Sequence, residues 1–286
     1  MTRASAAAAM DIHGAAGDIG DMPIVISTTA ELDDHIALVD AATGPERHAR
    51  MGGFSFVLPP DQLLDIDPFT DHYREIIRRQ YLFMTGDAAY NVAREADVGD
   101  FAADDPYPFS GRHPGVVGDH FGAIAFLMKY FPVMPPGRVL DVGAGWGNTS
   151  LMLARTGYRV DALDINKPYL DLIDAWAARL LVSDRVRTLH RPFDQIGALT
   201  DRYDTIMFFE SFHHALDHSA LLDACKSRLG EGGALLFAGE PIYADWPAPW
   251  SLRSDSLAAY CIRKYGWMEL GFNETYFIEL CTGARL

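Results

Sequence analysis

Three kinds of feature are scarce in this sequence, and each scarcity excludes a class of protein. Only three cysteines occur in 286 residues, without a CxxC pair, so we predict neither a disulfide framework nor a thiolate zinc site and expect a reducing, cytoplasmic location. No apolar run approaches the roughly 18 to 20 residues that span a bilayer, so no membrane partner is expected. Lys and Arg number 24 against 39 Asp and Glu, and this net charge of −15 disfavours nucleic acid as a partner, because phosphate backbones are bound by basic residues.

The remaining composition, 49% hydrophobic and 22% charged, is typical of a globular chain. Residues 1–22 carry early aspartate and no sustained apolar segment, so we predict a flexible tail rather than a signal peptide. Residues 23–136 combine capping residues with apolar positions at helical spacing, which predicts a mostly helical N-terminal cap or lid. Tyr73, Tyr81 and His120 are its candidate contacts to a ligand.

From residue 137 the sequence alternates short apolar runs with amphipathic segments. RVLDVG, RVDALDI, RVRTLH, YDTIMFFE and GGALLFAGE predict the first to fifth strands, and segments such as NTSLMLARTG and DHSALLDACKSRLG predict helices between them. Strands that alternate with helices form a parallel sheet covered on both faces, so the predicted fold class is α/β, a Rossmann-like, doubly wound, mostly parallel sheet over residues 137–286. In such sheets ligands bind at the carboxyl ends of the strands.

The first of these strands continues into three alternating glycines, in the stretch LDVGAGWGNTS. Gly143, Gly145 and Gly147 predict a backbone that a ligand approaches closely, with a plain tight turn as the alternative. The dinucleotide fingerprint GxGxxG would need glycine where Asn148 stands, which disfavours a NAD-dependent dehydrogenase. Asp164 ends the second strand 19 residues after Gly145, near the spacing expected of a ribose-binding acid, and the alternative is a helix N-cap.

Together with HRPFDQI after the third strand, these stretches resemble the motifs of class I S-adenosylmethionine-dependent methyltransferases. The resemblance implies S-adenosyl-L-methionine as the cofactor, with the glycine backbone against its methionine part. It also implies Asp141 near the ammonium group and Asp164 on the ribose, with Phe193 and Asp194 framing the adenine. The full predicted cofactor set is Asp141, Gly143, Ala144, Gly145, Gly147, Asp164, Ile165, Phe193, Asp194 and Glu210.

One departure from that family concerns the end of the sheet. Its members normally have seven strands, the last two forming a hairpin after the fifth, and the sequence after residue 240 offers no obvious pair. We expect an incomplete sheet, or one completed by the N-terminal region or by a partner, for example in a homodimer. A degenerate, non-catalytic subunit that binds the cofactor and works with a partner is the corresponding functional alternative.

The fourth strand ends in FFESFHHALDH, which concentrates acids and histidines. We predict that Glu210 faces the cofactor and that a histidine is the general base for an acceptor hydroxyl, with His214 favoured narrowly over His213. In one alternative both histidines lie on a helix surface, and in another the cluster, with Asp217 and His218, holds a metal ion. Because Asp217 and His218 suit a helix N-terminus, the prediction includes no metal.

The acceptor is predicted to bind in residues 240–272, a Pro- and aromatic-rich insertion longer than an ordinary connection. Tyr243, Trp246, Trp250 and Arg253 are the candidate substrate residues, and packing of the rings is the alternative. GEPI and RKYGWMELGFNE resemble bacterial methyltransferases of sugar and polysaccharide biosynthesis, which implies a small-molecule acceptor, a sugar or glycoconjugate hydroxyl. N-methylation of a nucleobase or a protein side chain is a weaker alternative, because ESFH occupies the slot of the Asn/Asp-Pro-Pro-aromatic element of such relatives.

Overall fold

The computed structural model describes residues 24–58, 63, 65–97 and 114–283, and the predicted tail at residues 1–22 lies outside this part. The region before residue 137 contains short strands and helices, in the order β1 (Ile24–Ile26), α1 (Thr29–Ala41), α2 (Gly44–Gly52), β2 (Phe54–Phe56), α3 (Asp71–Thr85), α4 (Val92–Glu95) and α5 (Pro114–Lys129). β1 and β2 pair in parallel as a small separate sheet. α1 begins at a capping box, in which the Thr28 side chain accepts from the backbone N–H of Glu31.

From residue 137 strands and helices alternate, in the order β3 (Arg138–Val142), α6 (Asn148–Arg155), β4 (Arg159–Asp164), α7 (Lys167–Arg179), β5 (Val186–His190), β6 (Tyr203–Phe209), α8 (His218–Arg228) and β7 (Leu229–Ala238). Short 3-10 helices at Phe193–Ala198 and Phe212–His214 follow β5 and β6. The chain then forms β8 (Ile242–Tyr243), β9 (Trp250–Leu252), α9 (Ser256–Tyr265), β10 (Leu270–Asn273) and α10 (Glu274–Thr282).

The central sheet has the strand order β5-β4-β3-β6-β7, and all its pairs are parallel. β3 and β4 are buried along nearly their whole length, as expected for strands covered on both faces. The strand order reverses between β3 and β6, so the crevice at their carboxyl ends is the topological switch point, where ligands bind in such sheets. The predicted α/β, Rossmann-like fold is confirmed.

Among the described residues the central sheet ends at β7, so it lacks the two further strands of the usual seven. The chain after β7 forms a separate three-stranded sheet instead, in which β10 runs parallel to β8 and antiparallel to β9. The expected shortage of terminal strands is therefore confirmed. Completion of the sheet by a partner, as in the suggested homodimer, stays a prediction.

The N-terminal helices share one hydrophobic core with the sheet and with the segment after β7. The Tyr73 hydroxyl donates to the Trp250 carbonyl oxygen at 2.6 Å, and the Tyr81 hydroxyl donates to that of Gly266 at 2.5 Å. Arg263 forms an ion pair with Asp33 at 2.6 Å. The predicted cap is thus anchored on the C-terminal segment. None of the helices in the described ranges is long and apolar enough to cross a membrane. The cytoplasmic location stays a prediction.

Candidate active site

A cavity of about 850 Å³ opens at the carboxyl ends of β3, β4 and β6. The glycine loop after β3 lines it, together with residues that follow β4 and β6 and with residues of the N-terminal helical region. Ligand sites in proteins commonly measure about 300–1,000 Å³, so the volume is sufficient for a cofactor together with a small acceptor. The cavity therefore lies where the fold predicts a ligand.

The three glycines of this loop have positive φ angles, but only one of them faces open space. A Cβ on Gly143 would lie 2.5 Å from Cβ of Ser211, and one on Gly147 would lie 2.3 Å from Cγ1 of Ile173. A Cβ on Gly145 would meet no atom within 4 Å, and this residue lines the cavity. Packing within the protein thus explains two of the glycines. Gly145 is the position where a ligand can approach the backbone, and Gly147 is not part of the cavity lining.

α6 begins directly after the loop, and its first turn borders the cavity. Its N-cap is Gly147, which has no side chain to accept from the N–H groups of that turn. Asn148 and Thr149 of the turn line the cavity. The N-terminal turn of a helix and the positive end of its dipole favour a negative group here, such as the carboxylate of an amino acid.

Two acids, Asp141 and Asp164, line the cavity next to this loop. Asp164 accepts from the backbone N–H of Gly145 at 2.8 Å and from that of Asn166 at 2.7 Å. The N-cap of α7 is Asn166, so the capping alternative for Asp164 is wrong. Asp141 accepts from the Ser150 hydroxyl at 2.6 Å. Burial raises the pKa of both carboxyls, that of Asp141 to about 6.

The opposite end of the predicted cofactor set lies where the 3-10 helix Phe193–Ala198 packs against α8. Phe193 and Asp194 line the cavity there, as does Ile165, the residue after Asp164. Ala220, Leu221 and Ala224 of α8 join them. A ring, small apolar side chains and one acid suit an adenine base, whose exocyclic amine can donate to a carboxylate.

Glu210 follows β6 with a φ of 53°, a left-handed conformation that is strained for a residue other than glycine. Its side chain lines the cavity, and its Oε2 lies 3.9 Å from Nδ1 of His120 on α5. Burial raises the pKa of the Glu210 carboxyl to about 7, although the nearby His213 lowers it. A strained acid of this kind at the switch point is typical of a functional site.

His214 lines the cavity with a defined tautomer. Its Nδ1 lies 2.5 Å from the Met268 carbonyl oxygen. A carbonyl can only accept, so Nδ1 carries the hydrogen and Nε2 keeps its lone pair. Burial, with a further contribution from His213, lowers the pKa of His214 to about 4, so the ring is neutral at physiological pH. His214 is therefore a neutral imidazole with its lone pair on Nε2.

The neighbouring His213 lies in an environment that raises the pKa of its ring instead of lowering it. Its Nδ1 donates to Glu240 Oε2 at 2.8 Å, and its Nε2 lies 3.4 Å from Glu269 Oε2. Burial acts against the charged imidazolium, but the two carboxylates outweigh it and raise the pKa of His213 to about 9. A ring that is already protonated cannot act as a base near neutral pH, so the structure favours His214 of the two predicted histidines.

The alternative of a metal cluster formed by Glu210, the two histidines, Asp217 and His218 is not supported by the described residues. Asp217 is the N-cap of α8 and accepts from the Ala220 N–H at 3.2 Å, and Nε2 of the buried His218 lies 2.6 Å from the Tyr276 hydroxyl. In the part of the chain that the structure describes, the trio close enough to share an ion is His213, His214 and Glu269. Both nitrogens of His213 already face carboxylates and Nδ1 of His214 donates to a carbonyl, so this trio does not fit a metal ion as it stands.

A comparison with known proteins agrees with this geometry. A family model described as a methyltransferase domain matches residues 121–267, which is more than half of the chain. The chain belongs to this methyltransferase family. The match and the parallel sheet confirm the expected class I S-adenosylmethionine-dependent methyltransferase, for which S-adenosyl-L-methionine is the cofactor.

Individual relatives match a shorter part of this methyltransferase. A ubiquinone biosynthesis O-methyltransferase from Psychrobacter cryohalolentis is 30% identical over 102 residues, 35% of this chain and 40% of the relative. One from Xylella fastidiosa is 32% identical over 112 residues, 38% and 44% of the two chains. The match thus spans less than half the length of these curated relatives. Among solved structures, a SAM-dependent methyltransferase from Geobacter sulfurreducens in complex with S-adenosyl-L-homocysteine is 19% identical, covers 51% of this chain and 53% of its own, and has a TM-score of 0.38.

The four residues predicted to contact the acceptor of the methyltransferase do not line its cavity. Trp250 is completely buried, and its Nε1 donates to the Pro68 carbonyl oxygen at 3.0 Å. The Tyr243 and Trp246 rings stack on each other at 5.9 Å, and Arg253 pairs with Asp255 and Glu269. The structure thus favours the packing alternative for these rings. The insertion contributes Trp267 and Met268 to the cavity instead.

Other cavity residues come from parts of the sequence without a functional signal. Tyr90, Val92 and Glu95, in and before α4, line the cavity, and so do the anticipated lid residues Tyr81 and His120. The Tyr90 hydroxyl donates to the Glu95 carboxylate, and burial raises the pKa of Glu95 to about 7, with Asp164 contributing. No motif surrounds Glu95 in NVAREAD, and only tertiary packing brings it near Asp164.

Proposed function

We propose that this chain is an S-adenosylmethionine-dependent O-methyltransferase that acts on a hydroxyl of a small molecule. The observation that carries the proposal is the charge of the cavity. Six acids line it, and four of them, Glu95, Asp141, Asp164 and Glu210, form no ion pair with a Lys or Arg of the described residues. Because burial raises the pKa of all four, the cavity favours a ligand that brings positive charge.

The cavity offers a partner for each group of the cofactor. Asp141 would accept from the ammonium group, the first turn of α6 would bind the carboxylate, and Asp164 would accept from the ribose hydroxyls. Phe193 and Asp194 would contact the adenine. When bound, the cofactor supplies an electrophilic methyl group on a sulfonium sulfur. The pyrophosphate of NAD would face these same acids, which argues against the dehydrogenase alternative.

His214 is the proposed general base. The Met268 carbonyl holds its Nδ1–H, so Nε2 is the nitrogen available to take the proton of an acceptor hydroxyl as the methyl group is transferred. Methyl transfer also depends on alignment and on exclusion of water. Tyr81, Tyr90 and Glu95 from the N-terminal region supply part of the enclosing wall.

The acceptor half of the cavity favours an uncharged ring compound. Tyr81, Tyr90 and Trp267 provide aromatic surface, and Arg78, the one arginine among the described lining residues, is already bound by Glu75. An anionic acceptor, such as a sugar phosphate, would meet uncompensated carboxylates. The matched relatives are named for ubiquinone biosynthesis, which supports a phenolic hydroxyl as the first choice. An uncharged sugar hydroxyl is the second, since RKYGWMELGFNE resembles sugar-modifying methyltransferases.

Transfer of an isotopically labelled methyl group to a panel of catechols, uncharged sugars and their phosphates tests the proposal. The His214→Ala variant should lose about 10²- to 10⁴-fold in turnover, the usual contribution of a general base. Its dissociation constant for S-adenosylhomocysteine should stay within about 3-fold of wild type, because the base does not hold the cofactor.

The matched control is His72→Ala, which removes an exposed histidine on α3 and should change neither quantity. Unchanged turnover in His214→Ala would remove this residue from the role of base. A wild-type protein that binds the cofactor but methylates no member of the panel would favour the non-catalytic subunit instead.

A further inference from the structure

A cluster of buried charges lies behind the wall of the cavity and contains residues with no role in the proposed chemistry. Glu240, His213, Glu269 and Arg253 each have side chains that are at most 8% exposed. Arg253 Nη1 lies 3.5 Å from Glu269 Oε2, and its Nε donates to Asp255 at 2.8 Å. Neither Glu240 nor Glu269 lines the cavity. Burial of so many charges is costly unless each is paired, as these are.

Glu240 binds the loop that carries the proposed base through four hydrogen bonds. Its Oε1 accepts from the backbone N–H groups of Ser211 at 2.9 Å and Phe212 at 2.8 Å. Its Oε2 accepts from the backbone N–H of His213 at 3.1 Å and from Nδ1 of that ring at 2.8 Å. One carboxylate therefore satisfies three successive N–H groups, directly after the strained Glu210 and directly before His214.

Glu269 connects the same cluster to the other side of His214. It lies beside Nε2 of His213, and it follows Met268, whose carbonyl oxygen accepts from Nδ1 of His214. Arg253 donates its backbone N–H to the Glu269 carbonyl oxygen at 2.8 Å, which fixes that backbone to β9. The backbone before His214 and the carbonyl that accepts from its Nδ1 therefore both lie next to residues that contact the charged His213.

We propose that Glu240 and Glu269, acting through the His213 imidazolium, are positioning residues that fix the tautomer and orientation of His214. This inference rests on the proposed function only in its effect on turnover. His213 faces Glu240, Glu269, the His214 ring at a centroid distance of 4.3 Å, and the charge of Glu210. The two bonded carboxylates dominate, and they keep His213 protonated near neutral pH.

The test substitutes Glu240→Gln, which preserves the volume and removes the charge. The ¹⁵N and ¹³C imidazole signals of His213 and His214, assigned with His213→Gln and His214→Gln, are followed by NMR from pH 5 to 10. In wild type His213 should titrate near pH 9, and His214 should remain the single Nδ1–H tautomer. In Glu240→Gln we expect His213 to titrate below pH 7 and His214 to show a mixture of tautomers.

The kinetic expectation separates positioning from binding. Misplacement of a catalytic group by about 1 Å can cost about 10²-fold, so kcat of Glu240→Gln should fall about 10- to 100-fold. The dissociation constant for S-adenosylhomocysteine should change by less than about 3-fold, since Glu240 does not touch the cofactor site. The control Glu231→Gln makes the same change at an exposed position on β7 and should leave every readout unchanged.

Glu269→Gln is the second variant, because it leaves all four Glu240 bonds in place if Glu240→Gln does not fold. It should lower the pH at which His213 titrates and reduce kcat by a smaller factor. An unchanged His214 tautomer in the folded variants would overturn the inference, as would normal kcat in an active enzyme. If wild type shows no turnover at all, the proposed function fails, while the NMR result still decides whether the cluster fixes His214.

Discussion

Buried acids at the two ends of the central sheet have different kinds of partner. At the amino end, Asp161 on β4 accepts from Arg187 Nε at 3.0 Å, Arg138 Nη2 at 3.1 Å and the Tyr203 hydroxyl at 2.8 Å. The neighbouring Asp201 pairs with the same two arginines, which lower the pKa of its carboxyl. Asp161 and Asp201 thus both have positive partners supplied by the fold.

At the carboxyl end the acids are bound by N–H and O–H groups instead. Asp164 accepts from backbone N–H groups and Asp141 from a serine hydroxyl, and within the described ranges neither forms an ion pair with Lys or Arg. Burial raises the pKa of both. The difference indicates that the protein itself supplies the positive partners of the acids at the amino end. At the carboxyl end, a bound cationic ligand would stabilise the acids.

The largest effect should come from Asp164→Ala. Hydrogen bonds to a charged group contribute about 1.5–3 kcal/mol each, so losing two to the ribose should weaken S-adenosylhomocysteine binding by about 10²- to 10⁴-fold. Calorimetric titration measures this. The unliganded variant should also lose some stability, because the N–H groups of Gly145 and Asn166 lose their acceptor, so affinity is measured on the folded fraction. A variant that binds normally would contradict the ribose assignment.

Asp161→Asn should show the converse pattern. Breaking a buried ion pair typically costs 3–5 kcal/mol, and since both arginines are partly exposed we expect about 3 kcal/mol in the free energy of unfolding. Urea denaturation gives that value. Affinity for S-adenosylhomocysteine should be unaffected in the folded fraction. If this variant lost binding but not stability, the contrast between the two ends of the sheet would be wrong.

The glycine loop allows a matched pair of substitutions. Gly147→Ala would place a methyl group 2.3 Å from Ile173 at a φ of +76°, and overpacking of this kind, together with left-handed strain, should destabilise the fold by about 2–3 kcal/mol. Gly145→Ala adds a methyl group in open space, so it should cost only about 1 kcal/mol of strain but should interfere with the cofactor. Thermal unfolding and titration with S-adenosylhomocysteine distinguish the two. Equal losses of stability would mean that Gly145 is also a packing glycine.

A smaller effect should appear as a pH dependence of stability between pH 7 and 9. The folded-state pKa of His213 is raised from 6.5 to about 9, so its stabilising contribution is complete below pH 6.5 and is lost as the pH rises through 9. His120, His214 and His218 have lowered pKa values near 4 and do not titrate in this window. The raised pKa values of Glu95, Glu210 and the three cysteines add to the slope, so the contribution of His213 is the difference between wild type and His213→Gln. We expect this contribution to the free energy of unfolding to fall by about 2 kcal/mol across the window, at about 1.4 kcal/mol per unit of pKa shift with allowance for coupling. His213→Gln should reduce the slope by this amount.

Sequence reasoning predicted most of the residues of the proposed cofactor half of the cavity and few of those of the proposed acceptor half. Asp141, Gly145 and Asp164 follow strands at fixed spacings, so local pattern alone predicts that they meet at one edge of the sheet. Glu95 and Trp267 reach the cavity only through packing of the N-terminal helices on the segment after β7, which no local pattern encodes.

The aromatic insertion is a second case in which the local sequence pattern does not reveal which residues reach the cavity. Trp250 was predicted to contact the ligand because it lies in an aromatic-rich insertion. It is instead completely buried in the core next to Tyr73. His213 and His214 are adjacent and chemically identical in the sequence. Their pKa values diverge because both nitrogens of His213 face carboxylates of Glu240 and Glu269, distant in the chain, whereas Nδ1 of His214 donates to a neutral carbonyl.

The most direct test of the central claim is calorimetric titration of the chelator-treated protein at pH 7 with S-adenosylmethionine, S-adenosylhomocysteine and NAD. We predict micromolar, one-to-one binding of the first two ligands, no binding of NAD, and loss of the binding in Asp164→Ala. Binding of NAD alone, or of none of the three, would contradict the account of the carboxyl end of the sheet as a site for a cationic methyl donor.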